Sequence, residues 1–152
     1  MDDTFINLAG CPVIKPEDRF AKDRISVYGI LIDNNKILLV RSKGVAVWDL
    51  PGGGQENGED DIATLKREML EEANCEVLKI GECIKKTQIN FYADDIDEYY
   101  YNTGKLYRIV EWKFVEKKLE KEIEEFKMVD LKDLNRKNIR PYLIEIIKEL
   151  KQ

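Results

Sequence analysis

The feature that most constrains this chain is a glycine run followed directly by a strongly patterned helix, within residues 51–75. Gly52, Gly53 and Gly54 allow backbone conformations with positive φ and close approach by a ligand. From Asp60, which is placed to cap the helix, to about Ala73 the pattern is helical. Its apolar residues recur at spacings of three and four, at Ile62, Leu65, Met69 and Ala73. The segment therefore predicts a glycine loop that enters a helix with one buried side.

The opposite face of this helix is acidic. At about 100° per residue, Glu68 and Glu72 lie roughly 40° apart around the axis, with Glu71 beside them. Like charges at these spacings oppose helix formation by about 0.2–0.5 kcal/mol per pair. A divalent cation would reverse that penalty, and clustered carboxylates suit Mg²⁺ or Mn²⁺. The helix pattern taken alone is explained equally simply by an acidic face exposed to solvent. The helix by itself therefore leaves open both a cation site and a solvated face.

Composition excludes several classes of site. The chain contains no histidine, which rules out Ser-His-Asp and Cys-His catalysis and any His-ligated metal. Its three cysteines have no CxxC spacing, so we predict neither a disulfide framework nor a zinc site, and a reducing cytoplasm is the expected location. A net charge of −5 argues against extended nucleic-acid binding. No signal peptide or membrane-spanning run is predicted.

The rest of the sequence predicts an α/β layer fold. Residues 24–33 and 36–42 are apolar runs around Asp33-Asn34-Asn35 and predict a hairpin buried on both faces. Further strands are expected at 76–92, 105–115 and 127–131, with 93–104 as a loop or hairpin tip. The first twenty residues are expected to be irregular, and Pro141 to open a last helix with Leu143, Ile146, Ile147 and Leu150 buried. With no repeat or linker, we expect one domain over residues 1–152, with a mixed sheet between helices.

The spacing within residues 53–75 resembles the Nudix signature, G-x5-E-x7-R-E-U-x-E-E-x-G-U, in which U is a bulky apolar residue. Gly53 is followed after five residues by Glu59 and after seven more by Arg67-Glu68-Met69-Leu70-Glu71-Glu72. Asn74 stands in place of the last glycine, and Asn is the next most tolerant residue of a left-handed backbone. Cys75 replaces a bulky aliphatic residue and is expected in the core. Neither departure removes a carboxylate.

The resemblance implies a Nudix fold, an α/β/α sandwich, and a metal-dependent hydrolase that cuts a phosphoanhydride bond in a nucleoside diphosphate-linked or nucleoside triphosphate substrate. It implies metal ligation by Glu68 and Glu72, with Glu71 and the Gly52 carbonyl, and a role for Arg67 in orienting the glutamates. Glu59 is expected to support the loop. Magnesium or manganese would offset the charge of the substrate and activate the attacking water.

Several assignments stay open. The general base could be Glu68 or Glu71, or a later residue among Glu111, Glu120, Glu122, Glu124 and Glu125, although a solvated surface charge is the simpler account of each later one. Arg24, Trp48 and Gly53 are candidates for substrate contact, and strand-end charge or core packing is the alternative for the first two.

Two other functions are compatible with the same fold. One is a non-catalytic sensor that binds a nucleotide, although such modules often lose the glutamates that are present here. The other is an isomerase or a phosphohydrolase of non-nucleotide substrates. An isomerase would require a catalytic cysteine in the pocket, and the residues around Cys83 do not resemble such a site. The expected partner is a small nucleotide or related pyrophosphate. The sequence does not decide the oligomeric state, and a homodimer is one option.

Overall fold

The computed structural model describes residues 4–152, which form nine β-strands and two α-helices. The strands are β1 Thr4–Ile6, β2 Pro12–Ile14, β3 Ala21–Ile30, β4 Ile32–Asp33, β5 Lys36–Ser42, β6 Gly52–Gly54, β7 Cys75–Ala93, β8 Glu98–Phe114 and β9 Ile123–Asp130. The α-helices are α1 Asp61–Ala73 and α2 Ile144–Leu150, and single 3-10 turns occupy Leu131–Asp133 and Pro141–Leu143. Within the described residues, no helix is both long and apolar enough to cross a membrane.

The strands form two sheets. The larger sheet is mixed, with the order β2-β1-β7-β8-β3-β6; β7 pairs with β8 antiparallel at its centre, and β3 pairs with β8 in parallel. The smaller sheet, β4-β5-β9, is antiparallel. The mixed sheet with two helices confirms the predicted fold class, in which a mixed sheet is combined with helices.

The predicted hairpin is confirmed only at its turn. Asn34 and Asn35 both have positive φ, 51° and 63°, as a tight two-residue turn requires. The single strand expected over residues 24–33 is wrong, because the chain changes sheets at Leu31. β3 pairs with β8 and β6, whereas only the short β4 pairs with β5. Continuous apolar character could not reveal this break, since Leu31 is itself fully buried.

Two hydrophobic cores lie on opposite sides of the strands. Along β5, Ile37 and Leu39 pack into the core that contains α2, while Leu38 and Val40 pack into the core that contains α1. Successive strand residues point to opposite faces, so this alternation shows that β5 is covered on both sides. The prediction of strands buried between helices is confirmed here.

Helix α1 begins and ends as predicted. The Asp60 carboxylate accepts a hydrogen bond from the Ala63 amide at 2.8 Å, and Asn74 ends the helix in the left-handed conformation with φ 49°. Leu65, Met69 and Ala73 are fully buried. Ile62 is 39% exposed, which corrects its place in the buried stripe, since the first turn extends beyond the core.

Three other expectations need correction or refinement. The first twenty residues are not irregular throughout, because β1 and β2 pair as a hairpin. Pro12 discourages a helix but is tolerated at the start of an edge strand. The three tyrosines expected in a loop at 93–104 all lie in β8, and the turn itself is confined to residues 94–97. Pro141 opens a 3-10 turn ahead of α2, in which Ile146 and Ile147 are buried and Leu150 only partly so.

Candidate active site

The glycine run lies close to helix α1 and strand β3, with little space for side chains. Gly52 has φ +149° and pairs with Tyr28 of β3. A Cβ on Gly53 would lie 2.7 Å from the Glu68 carboxylate, closer than side-chain carbons approach other atoms. Glycine at these positions therefore allows the acidic face of α1 to reach the backbone of the loop.

Arg67 is the centre of the polar network on this face. Its guanidinium donates to both carboxylate oxygens of Glu59, at 2.7 and 3.0 Å, and to Glu68 at 2.9 Å. It also donates to Glu71 at 3.2 Å and to the Gly54 carbonyl at 3.1 Å. The hydrogen bonds with Arg67 lower the pKa of Glu59 to about 2, and those with Glu59 raise the pKa of the guanidinium. A planar guanidinium with five donors suits this joint role.

Glu72 is held differently. Its Oε1 accepts a hydrogen bond from the Gly52 amide at 2.9 Å, so the helix and the loop are joined directly at this carboxylate. Burial is the main reason that the pKa of Glu72 is raised to about 8; the Gly52 hydrogen bond acts against this rise, and the nearby charge of Glu68 adds to it. Burial also raises the pKa of Glu68. A positive charge placed between the two carboxylates would favour their ionised forms.

The residues present fit a hard divalent cation in their chemistry. The donor set consists of carboxylate and backbone carbonyl oxygens, which Mg²⁺ and Mn²⁺ prefer. Among residues 4–152, no three acidic or cysteine side chains stand as a ready-made cation cluster. Arg67 holds Glu68 and Glu71, while Glu72 accepts from the Gly52 amide. Ion binding would therefore require these carboxylates to turn from their present partners.

Of the two residues predicted to contact the substrate through their side chains, Arg24 lies at the glycine loop and Trp48 does not line the neighbouring cavity. The Arg24 guanidinium lies against Gly54, since a Cβ there would be 2.7 Å from its Nε, and Arg24 also lines a neighbouring cavity. Trp48 instead packs against the α2-side core, with Arg41 6.0 Å from its ring. The cavity lining does not include Trp48.

The later glutamates have their own surroundings. Glu125 pairs with Arg41 at 2.9 Å, and Glu120 lies 3.9 Å from Lys117. Glu111, Glu122 and Glu124 are exposed. In the described part of the chain, no hydrogen bond or ion pair joins any of these five to Glu68, Glu71 or Glu72.

A cavity of about 190 Å³ adjoins the glycine loop. Tyr28 connects the two, since it lines the cavity and pairs with Gly52. Sequence reasoning did not find most of the polar residues of this cavity, because distant segments of the chain supply them. They are Asn7, Ser26, Asp49, Asn102, Arg140 and Tyr142, in addition to Arg24.

Asp49 organises one side of the cavity. It accepts a hydrogen bond from the Tyr142 hydroxyl, and Arg140 lies 3.6 Å from its carboxylate. Burial raises the pKa of Asp49, although Tyr142 and Arg140 act in the opposite direction. Arg140 also donates to the carbonyl of Leu8, which connects the β1–β2 hairpin to the cavity rim. The only sequence feature that could have indicated a role for Asp49 at this site is its position just before the glycine run.

Comparison with known proteins identifies the class to which this fold and site belong. A NUDIX domain model matches residues 22–150, and the chain therefore belongs to the Nudix hydrolase family. The resemblance drawn from residues 53–75 is confirmed.

Individual relatives agree with this assignment. An 8-oxo-dGTP diphosphatase of Buchnera aphidicola is 32% identical over 95 residues, which are 57% of this chain and 63% of that protein. The nucleoside diphosphate-linked moiety X motif 6 protein of Xenopus laevis is 44% identical over 57 residues, 35% of this chain and 26% of that protein. The chain thus spans less than two thirds of the length of these curated relatives.

Solved structures show the same fold. A MutT Nudix hydrolase from Burkholderia pseudomallei has a TM-score of 0.65 and 18% identity, covering 86% of this chain and 99% of its own. A MutT protein from Bacillus halodurans has a TM-score of 0.67 and 18% identity, covering 85% and 83%. At these identities the likeness concerns the fold.

Proposed function

We propose that the chain is a divalent-cation-dependent pyrophosphohydrolase that cuts a phosphoanhydride bond in a nucleoside diphosphate-linked or nucleoside triphosphate substrate. The observation that carries this proposal is the joined acidic network, in which Arg67 bonds Glu59, Glu68 and Glu71 while Glu72 bonds the glycine loop. The diphosphatase activity in the name of the Buchnera relative supports the reaction class. The catalytic and metal-binding roles below belong to the same proposal.

Glu68, Glu71, Glu72 and the Gly52 carbonyl would hold the ion. Bound Mg²⁺ or Mn²⁺ would neutralise charge on the substrate phosphates and make water a better nucleophile. Arg67 orients Glu68 and Glu71 through its hydrogen bonds, and Glu59 holds Arg67 in place. Glu68 and Glu71 are the carboxylates available to take the proton of the attacking water. The electron pair of that water forms the new bond to phosphorus as the anhydride bond breaks.

Substrate positioning follows from the position of the cavity. Arg24 lies between the cavity and Gly54, where its guanidinium can contact a phosphate group. The remainder of the substrate would occupy the cavity beside Tyr28. Because the protein carries a net charge of −5, the cation and Arg24 together would offset repulsion of a polyanionic substrate. A single domain, a cytoplasmic location and a homodimer stay predictions.

The proposal is tested by a hydrolysis screen with and without Mg²⁺, covering canonical and oxidised nucleoside triphosphates, nucleotide sugars and dinucleoside polyphosphates. Glu72→Gln should lower magnesium-dependent turnover by at least about 100-fold, because the amide cannot act as an anionic ligand. The fold should persist, since the new amide oxygen can still accept from Gly52.

Glu76→Gln is the matched control, because the same change then falls on an exposed side chain. Near-normal turnover in Glu72→Gln would overturn the ligand assignment. Absence of phosphate or pyrophosphate release from every substrate would instead favour a nucleotide sensor on this fold.

A further inference from the structure

Ser26 and Asn102 form a buried polar pair at the cavity. They lie on the parallel strands β3 and β8 and are 2% and 5% exposed. The Ser26 hydroxyl donates to Asn102 Oδ1 at 2.7 Å. Both residues line the cavity, and in this arrangement the Ser26 hydroxyl takes the oxygen edge of the Asn102 carboxamide, which leaves the Nδ2 edge without that partner.

The amide nitrogen of Asn102 is the edge left for a ligand. In residues 4–152, no backbone or side-chain group accepts a hydrogen bond from Nδ2. Nδ2 is not among the fully enclosed side-chain atoms that lack a partner, so it is accessible, and a ligand in the cavity can accept the hydrogen bond that no protein group of the described chain accepts. Nδ2 carries only donors, and it can therefore satisfy only an acceptor.

The surrounding walls suit a flat ring. Tyr28 and Phe91 contribute aromatic rings to the lining, and Ile89 contributes an aliphatic side chain. The β1–β2 hairpin adds Ile6 and Leu8, and this hairpin lies before the region matched by the family model. The cavity therefore combines apolar walls with a few polar groups, as sites that orient a heterocycle do, and Asn102 shares the lining with Arg24, Asp49 and Arg140.

We propose that Asn102 is a specificity-determining residue that donates from Nδ2 to a keto oxygen on the edge of a nucleobase. Bases divide into those with a keto oxygen at this edge, such as guanine and thymine, and those with an amino donor, such as adenine and cytosine. An amino group opposite Nδ2 would leave two donors unpaired, so the site discriminates against it. The inference rests on the proposed function, since it concerns the substrate of the same site.

Binding of nucleoside monophosphates to the unchanged protein provides the first test. Calorimetry without added metal compares inosine monophosphate with AMP, and UMP with CMP, because each pair exchanges a keto group for an amino group. We expect the keto member to bind roughly tenfold more tightly, the size of one neutral hydrogen bond. Equal affinities, or a preference for AMP and CMP, would overturn the proposal.

Variants at residue 102 provide the second test. Asn102→Asp keeps the oxygen that accepts from Ser26 and replaces the donor with an acceptor, so the preference should reverse toward AMP and CMP. Asn102→Leu should abolish the preference without reversing it. Asn135→Asp is the matched control, since the same substitution at an exposed turn should leave the keto preference intact. If both residue-102 variants keep the original preference, Asn102 does not read the base.

The two proposals fail separately. Binding of monophosphates does not require hydrolysis or metal, so a keto preference in a protein without turnover would support the role of Asn102 and contradict the proposed activity. Turnover without any keto preference would support the proposed activity and contradict the role of Asn102. Melting temperatures of the Asp and Leu variants show whether each binds as a folded protein, and the comparison on the unchanged protein needs no variant.

Discussion

At the scale of single residues, Arg67 shows how one side chain can organise a site. Its side chain is 23% exposed and donates hydrogen bonds to three carboxylates and a carbonyl, whereas a surface arginine usually makes one loose ion pair. If Arg67 were absent, the negative charges of Glu59, Glu68 and Glu71 would lie close together without a compensating positive charge. The arginine therefore stabilises the acidic face that the proposed reaction uses.

Arg67→Lys tests the geometry of this network while keeping its charge. A lysine ammonium cannot reproduce the bidentate contact with Glu59 and also reach Glu68 and Glu71. We expect kcat to fall roughly 10- to 100-fold, as for loss of an orienting residue around a metal site. The free energy of unfolding should fall by about 1–3 kcal/mol through the lost charged hydrogen bonds. Steady-state kinetics and urea unfolding measure the two effects.

Arg136→Lys is a suitable control, because Arg136 is exposed. Unchanged kcat in Arg67→Lys together with a lower stability would show that Arg67 supports the fold alone. An equal loss of kcat in both variants would show that the effect is not specific to the network.

At the scale of elements, the end of α1 depends on an unusual residue. Asn74 takes the left-handed conformation, and its Nδ2 donates to the Lys117 carbonyl at 2.7 Å. Its Oδ1 is buried and, among the described residues, has no hydrogen-bond partner. Asparagine thus combines tolerance of this backbone with a connection to the segment after β8, and leaves one oxygen unsatisfied.

Substitutions at Asn74 separate these contributions. Asn74→Ala keeps the strained conformation and loses the contact with Lys117, so the free energy of unfolding should fall by about 1–3 kcal/mol. Both variants lose the contact and the unsatisfied oxygen, but Asn74→Gly also removes the backbone strain, so it should stay within about 1 kcal/mol of the unchanged protein. Urea unfolding at neutral pH measures both. Equal losses in the two variants would show that backbone conformation is unimportant at this position.

The strands β3, β4 and β5 show where element prediction fails. The turn at Asn34-Asn35 follows from local chemistry, because both residues tolerate positive φ. The break at Leu31 has no local signal, since residues on both sides of it are apolar and buried. It results from long-range pairing, as β3 continues along β8 while β4 turns to β5.

At the scale of the whole molecule, Asp61 joins the start of α1 to β8. The Tyr107 hydroxyl donates to its Oδ2 at 2.6 Å, and Lys105 lies at 3.2 Å. Burial opposes ionisation of Asp61, but the hydrogen bonds from Tyr107 and Lys105 outweigh it and lower its pKa. These contacts stabilise the docking of the helix that carries the candidate site.

The lowered pKa of Asp61 predicts a particular dependence of stability on pH. Its contribution is fully present above the pKa of the unfolded chain, about 4, and is lost as the pH falls through the lower folded value. Asp61→Asn should therefore lower the free energy of unfolding at pH 7 and reduce the difference in stability between pH 7 and pH 3. Urea unfolding at the two pH values measures this.

Asp95→Asn, at an exposed turn position, should leave the same pH difference unchanged. An undiminished pH difference in Asp61→Asn would show that other carboxylates account for the acid sensitivity. Glu59, whose pKa is lowered to about 2, would then be the first to examine.

The sequence alone determined the family, the limits of α1 and the grouping of the acidic residues. Helical spacing places Glu68, Glu71 and Glu72 on one face wherever the helix lies, and Asp60 and Asn74 cap it through local contacts. These properties depend on residues within about two helical turns of each other, which is why a pattern in the chain can reveal them.

Only the tertiary structure decided which residues form the cavity beside the glycine loop. Ser26 and Asn102 are 76 positions apart and meet because β3 and β8 pair in parallel. Arg140 reaches Leu8 across 132 positions, and Tyr142 reaches Asp49 across 93. No local spacing encodes such contacts, since they depend on the register and order of whole strands. The chemistry proposed for this protein could therefore be predicted from residues 53–75, whereas the residues proposed to select its substrate became visible only in the folded chain.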